Sequence, residues 1–191
     1  MRSPVVELLG DLDRALRALG LRWYLFGAQA AILHGAARLT ADVDATVDAQ
    51  GVETEELLKT LSDCGFSGRS EDPVAFAAKT RVLPLVHDFS GLPCDLVLAG
   101  PGLEPLFLQR SVVIRVDDLD VPVASAEDIV VMKILAGRAK DLDDAAAVIA
   151  AAGNEIDFRH SRTTLGEIEQ ALDRSDLIVV LDQLMSRHGH S

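Results

Sequence analysis

The chain has 191 residues, 49% hydrophobic and 25% charged, enough for one folded domain with or without a helical appendage. No apolar run reaches the roughly 20 residues that span a bilayer, and Met1-Arg2-Ser3-Pro4 leads into a stretch broken by Glu7, Asp11 and Asp13, which is not a signal-peptide pattern. The net charge of −12 argues against an extended DNA-binding surface, though not against a local basic patch on RNA. The two cysteines, Cys64 and Cys94, imply no disulfide framework and a reducing cytoplasm.

Apolar residues from Val5 to Leu19 recur at helical spacing, and Gly20 is a stop signal. Trp23-Tyr24-Leu25-Phe26 reads as a buried strand ended by Gly27, followed by a helix over Ala28 to His34 that Gly35 closes. Ala41 to Asp48 alternates as a half-buried strand, with Val43, Ala45 and Val47 on one face and Asp42, Asp44, Thr46 and Asp48 on the other. Glu53 to Asp63 reads as a helix. Val82 to His87 and Cys94 to Ala99 read as strands joined by a hairpin. Short β segments follow at Val112 to Val116 and Val121 to Ala124. A capping box at Ser125-Ala126-Glu127-Asp128 opens a helix through Ala136 that continues over Asp141 to Ala152. Helical patterns recur at Leu165 to Leu172 and Leu177 to Met185, and the tail from Arg187 to Ser191 reads as frayed. The expected fold class is α+β, a mixed sheet flanked by helices with a helical C-terminal part. The division expected is an α/β core over 1–124 and a helical region over 125–191.

Asp42 and Asp44 stand two apart on a predicted strand, so both point the same way, roughly 6.5–7 Å apart along the chain. Carboxylates that close repel unless a cation lies between them, and hard oxygen ligands select Mg²⁺ or Mn²⁺. If the Cys94 strand pairs alongside, Asp95 adds a third carboxylate. Taken alone, an Asp-x-Asp pair is most often a solvated face. Context changes that reading: Gly27 lies between an apolar strand and a helix, where backbone N–H groups receive phosphate, and Arg38 and Thr40 lie between that helix and the aspartates. Lys133 sits among Ile129, Met132 and Ala136, so its charge needs a partner: either an anion in a cleft or an acid such as Asp144 or Glu127. On one continuous helix Lys140, seven residues on, would share its face. Asp141 has Arg138 and Lys140 as candidate structural partners. No His/Cys spacing matches a zinc site, and Cys94 reads as a small buried residue rather than a nucleophile.

The run from Phe26 to Asp44, Phe-Gly-Ala-Gln-Ala-Ala-Ile-Leu-His-Gly-Ala-Ala-Arg-Leu-Thr-Ala-Asp-Val-Asp, resembles the signature of the DNA polymerase beta nucleotidyltransferase superfamily. It is especially similar to the AbiEii-type toxin nucleotidyltransferases. Cys94-Asp95-Leu96-Val97 matches the later strand carrying the third carboxylate, and Glu127-Asp128-Ile129, Lys133 and Ala136 to Asp141 match the C-terminal motif. The resemblance spans about residues 23 to 150. It implies transfer of a nucleoside monophosphate from ATP, GTP or CTP. Asp42, Asp44 and Asp95 would hold Mg²⁺ or Mn²⁺, with Asp95 also helping to activate the acceptor hydroxyl. Gly27, Ala28, Arg38, Thr40, Lys133, Lys140 and Asp141 would bind nucleotide. The chain departs from the pattern at Ala28, where Ser or Gly is usual, which removes a hydroxyl but leaves the backbone N–H groups. A toxin paired with a cognate antitoxin would act on tRNA or another RNA, with Arg69, Lys79, Arg81, Arg110 and Arg115 as a local patch. The alternatives are a protein side chain or an aminoglycoside-like small molecule as acceptor, or a catalytically impaired nucleotide- or partner-binding module.

Overall fold

The structure, a computed structural model, describes residues 3–189. The predicted tail therefore lies partly outside the described residues, at His190 and Ser191. Its described part ends the last helix at Arg187 and turns at His188 and Gly189.

In chain order the elements are α1 (Pro4–Ala18), β1 (Trp23–Phe26), α2 (Gly27–Leu33), β2 (Val43–Val47), α3 (Thr54–Asp63), β3 (Phe66–Gly68), α4 (Pro73–Thr80), β4 (Val82–His87), β5 (Pro93–Leu98), α5 (Leu103–Arg110), β6 (Val112–Val116) and β7 (Leu119–Val123). The remaining helices are α6 (Ala126–Ala136), α7 (Ala139–Ala152), α8 (Phe158–Leu172) and α9 (Leu177–Arg187), with a 3₁₀ turn at Gly153–Glu155. The chain divides into two units. One holds the chain up to Gln29 and Thr40–Ala124; the other holds Ala30–Leu39 and everything from Ser125 on.

The first unit is built on one mixed seven-stranded sheet in the order β3-β4-β5-β2-β1-β7-β6. β2 is central. It pairs antiparallel with β1 and parallel with β5, with Asp44 opposite Phe26 on one side and Asp95 on the other. β4 adds antiparallel to β5, placing Pro84 opposite Asp95. Alternation assigns Leu25, Val43, Ala45, Val47, Cys94, Leu96, Leu83 and Leu85 to one face, and every one of these is buried. α1 contributes Leu8, Leu9, Leu12 and Leu16 to the same unit's core, and α3 contributes Leu57 and Leu61. Trp23 is buried at the start of β1, and its indole N–H donates to Asp13 at 3.1 Å.

The strand expected over Ala41 to Asp48 is shorter, beginning at Val43. The Asp42 N–H is taken by the Thr40 hydroxyl at 3.3 Å, so Asp42 closes a local turn instead of joining the ladder. Nor is its far face open throughout: Thr46 is buried. Three elements have no counterpart in the sequence reading: β3, α4 and α5. Of these, α4 carries an explicit start signal, with Asp72 at the N-cap accepting from the Ala75 N–H at 2.9 Å and Pro73 at the first helical position.

In the second unit α6 packs against α7, α8 and α9. Its Ser125 cap accepts from the Asp128 N–H at 3.2 Å. Ile129, Val130, Val131 and Ile134 are all buried, which explains why α6 shows no polar stripe. The continuous helix expected through Lys133 and Lys140 is broken. Gly137 adopts the left-handed conformation (φ 67°) and ends α6, and α7 starts two residues later. The two lysines therefore lie on different helices, Lys133 buried and Lys140 exposed, and the shared face is lost.

Candidate active site

Asp44 and Asp95 are cross-strand partners in adjacent parallel strands. Neighbouring strands lie about 4.8 Å apart, so the two side chains stand next to each other on the face opposite the buried aliphatic one. Both are only partly exposed. Beneath them on the other face lies Cys94, fully buried. Its thiol is pushed up to about 12, first by burial and then by the negative charges of Asp95 and Asp44. At pH 8 only about one Cys94 in 10⁴ would be a thiolate. We expect iodoacetamide to label the native protein at the partly exposed Cys64 and to leave Cys94 untouched, as read by peptide mass mapping. Comparable labelling of Cys94 would contradict the burial.

Gly27 follows β1 directly, with φ 70°, a conformation that costs an L-residue about 1–2 kcal/mol. It also faces Asp44: a Cβ built there would lie 2.2 Å from Asp44 Oδ2 and 2.9 Å from its Cγ. Glycine is required twice over, for the turn and for the close approach of the carboxylate to the backbone. Gly27→Ala is expected to lower stability by about 1–2 kcal/mol and to force Asp44 out of its place beside Asp95. Chemical denaturation and a transfer assay read the two effects separately; an alanine variant with unaltered transfer would show that the position of Asp44 is not critical.

The loop before β2 is pinned within the first unit by Gln29, whose side-chain amide donates to the Thr40 carbonyl at 3.2 Å. Thr40 in turn holds the Asp42 N–H, leaving the Asp42 carboxylate exposed just ahead of the strand. The structure therefore brings Asp44 and Asp95 together and sets Asp42 to one side. Among the described residues no three His, Cys, Asp or Glu side chains gather as a group able to enclose a metal ion. The pair nonetheless suits Mg²⁺. That ion characteristically takes one or two carboxylates and completes its shell with water and substrate phosphates rather than an all-protein cage.

Arg69, named in the sequence only as part of a loose basic patch, is a cation of this site. Its guanidinium is ion-paired to Asp95, its Nε donates to the Leu85 carbonyl at 2.8 Å, and its backbone N–H donates to the Pro84 carbonyl at 2.8 Å. Other members of that patch are also engaged: Arg81 with Glu104 at 3.2 Å and Arg115 with Asp120 at 2.7 Å.

Ala28 is buried in the first unit, Arg38, Lys133 and Asp141 take part in a charge network of the second, and Lys140 is exposed in that second unit. The Lys133 ammonium donates to Asp141 at 3.0 Å and to Asp144 at 2.7 Å. Arg38 donates to Asp144 at 2.7 Å, and Arg138 pairs with Asp141. Asp141 is 1% exposed. Burial alone would raise its pKa, but hydrogen bonds from Arg138 and Lys133 outweigh that and hold it below the ordinary carboxylate value.

Among the solved structures that share the fold are three whose alignments cover most of this chain. The antibiotic-resistance factor ANT(2″)-Ia aligns with a TM-score of 0.64 at 16% identity, over 91% of this chain and 97% of its own. An antigenic nucleotidyltransferase-like protein from Paracoccidioides brasiliensis gives 0.55 at 22% identity, over 92% and 90%. The lincosamide antibiotic adenylyltransferase LnuA, lincomycin-bound, gives 0.50 at 18% identity, over 74% and 94%. No curated protein matches the sequence. A family model does match, over residues 9–176, and with the paired aspartates on their mixed sheet it identifies the chain as a member of the nucleotidyltransferases of unknown function designated DUF6036.

Proposed function

We propose that this nucleotidyltransferase moves a nucleoside monophosphate from a nucleoside triphosphate to an acceptor hydroxyl, with Asp44 and Asp95 at the reacting end. The observation that carries the reading is their side-by-side register on β2 and β5, with the Gly27 backbone closed against Asp44. In this proposal Asp44 and Asp95 would hold Mg²⁺ or Mn²⁺, with Asp42 entering as a third ligand only through the family pattern, and the ion would supply positive charge to offset that of the triphosphate. Gly27 and Ala28 offer backbone N–H groups to phosphate, and Thr40 keeps the Asp42 turn closed. Asp95 orients the acceptor hydroxyl and accepts its hydrogen bond. Arg38, Lys133, Lys140 and Asp141 enter as nucleotide-binding residues through the family pattern. Three of these four already engage carboxylates or cations within their own unit, and Lys140 is exposed.

Among acceptors, a cationic, polyhydroxylated small molecule fits the chain best. The net charge of −12 attracts a cation and repels a polyanion, and Arg81 and Arg115 of the basic patch already face carboxylates. One fold relative was captured with adenylyl-2″-tobramycin. The AbiEii-type resemblance favours a second reading, a toxin that modifies RNA in the cytoplasm and is held by an antitoxin. The test is incubation with Mg²⁺ and each α-labelled triphosphate in turn, with aminoglycosides, total tRNA or cell lysate as acceptor. Label on an aminoglycoside supports the first reading; label on RNA or on a protein replaces the acceptor. Triphosphate binding without transfer to anything would make the chain a binding module impaired at Ala28.

A further inference from the structure

We propose that Arg69 is a resident counter-ion for Asp95, one that must give the carboxylate up before a divalent cation is held there. The effect is to make cation binding depend on the triphosphate. The proposal rests on the assignment of Asp95 as a cation ligand. Arg69 differs from an ordinary surface arginine in being tied down. Its backbone N–H and its Nε donate to consecutive carbonyls of β4, Pro84 and Leu85, each at 2.8 Å. Pro84 is the register partner of Asp95, so these two bonds deliver the guanidinium to that carboxylate.

Charge balance sets the consequence. The Arg69 guanidinium is the positive charge paired with Asp95. A divalent cation arriving alone must compete with the guanidinium for Asp95 and leaves that guanidinium without its carboxylate. The same cation arriving with a triphosphate brings several negative charges, and the displaced guanidinium gains phosphate oxygens as new partners. Cation and nucleotide are then positively coupled through Arg69, and the coupling is reciprocal. The practical outcome is a site that resists idle occupation by free metal.

The experiment measures Mn²⁺ affinity by electron paramagnetic resonance, with and without a non-hydrolysable triphosphate, on the full chain. For Arg69→Gln we expect Mn²⁺ alone to bind about tenfold tighter than in wild type, and the enhancement caused by the triphosphate to shrink by a similar factor. A damaged fold would weaken metal binding, so tightening is not a sign of misfolding, and the charge-keeping lysine variant separates release of Asp95 from the mere loss of a positive charge. Arg69→Lys keeps the charge but is too short and too poor in donors to hold Leu85 and Asp95 together. It should fall between the two, and it keeps the test open if the glutamine variant does not fold. Unchanged or weaker Mn²⁺ binding in these variants overturns the proposal. Asp95→Asn tests the assignment beneath it: if that variant binds Mn²⁺ as wild type does, Asp95 is not a cation ligand and the functional reading fails with it.

Discussion

Asp44→Asn is expected to reduce nucleotide transfer by on the order of 10³-fold or more, about 4 kcal/mol of transition-state stabilisation. The substitution keeps shape and removes charge. Asp44 is the second residue of the central strand, in register with Asp95 and pressed against Gly27, so the amide fits the same space. What disappears is the negative charge that phosphoryl transfer relies on to place its cations, and positioning with charge neutralisation is most of the catalysis in this chemistry. Stability should change far less than transfer, because the amide keeps the shape and one of two adjacent like charges has gone. Steady-state transfer and a thermal melt on the same preparation check both halves. A variant retaining more than a tenth of wild-type transfer would remove Asp44 from the catalytic assignment.

Lys133→Met should have the largest effect on stability, a loss of about 3 kcal/mol or more. Lys133 bridges Asp141 and Asp144, whose side chains are 1% and 6% exposed. Methionine fills the volume but leaves two buried carboxylates short of a cation. Arg138 still serves Asp141 and Arg38 still serves Asp144, which keeps the cost toward the lower end of the range for a broken buried pair. The pH dependence has a defined sign. Asp141 has a folded-state pKa below its ordinary value of 3.8, so its contribution is complete above that value and is lost as the pH falls through the depressed one. Wild type should therefore lose stability below about pH 4, and the variant should show a weaker dependence there. Urea titrations at pH 7 and across the acid range decide it; a loss under 1 kcal/mol would show the network to be dispensable.

Much of this architecture is local and therefore readable. The Trp23–Phe26 strand, the alternation around Ala45 and the Ser125 cap are each set by neighbours within a few residues. Asp42 and Asp44 were likewise visible as a pair, although the Thr40 hydroxyl holds Asp42 outside the strand in a way that alternation alone does not show. β3 has only three residues, too few for any period to register. The approach of Asp95 to Asp44, and of Arg69 to Asp95, depends on which strands pair and in what register. Nothing near Arg69 in the chain distinguishes it from Lys79 or Arg110. In the second unit, the need of Lys133 for a partner followed from its apolar neighbours, and Asp144 was one of two candidates. Asp141, whose own candidate partners were Arg138 and Lys140, became its second partner because Gly137 turns the chain back on itself.

The second unit is discontinuous, taking Ala30–Leu39 from early in the chain and its helices from the end. On the ribosome that early stretch emerges long before the residues it belongs with. Arg38 has no Asp144 to meet, and Gly35, whose missing Cβ leaves room for Ala151, has no helix to lie against. Completion of this unit must wait for the last third of the polypeptide, so nascent chains arrested before α7 should be the species most in need of chaperone protection.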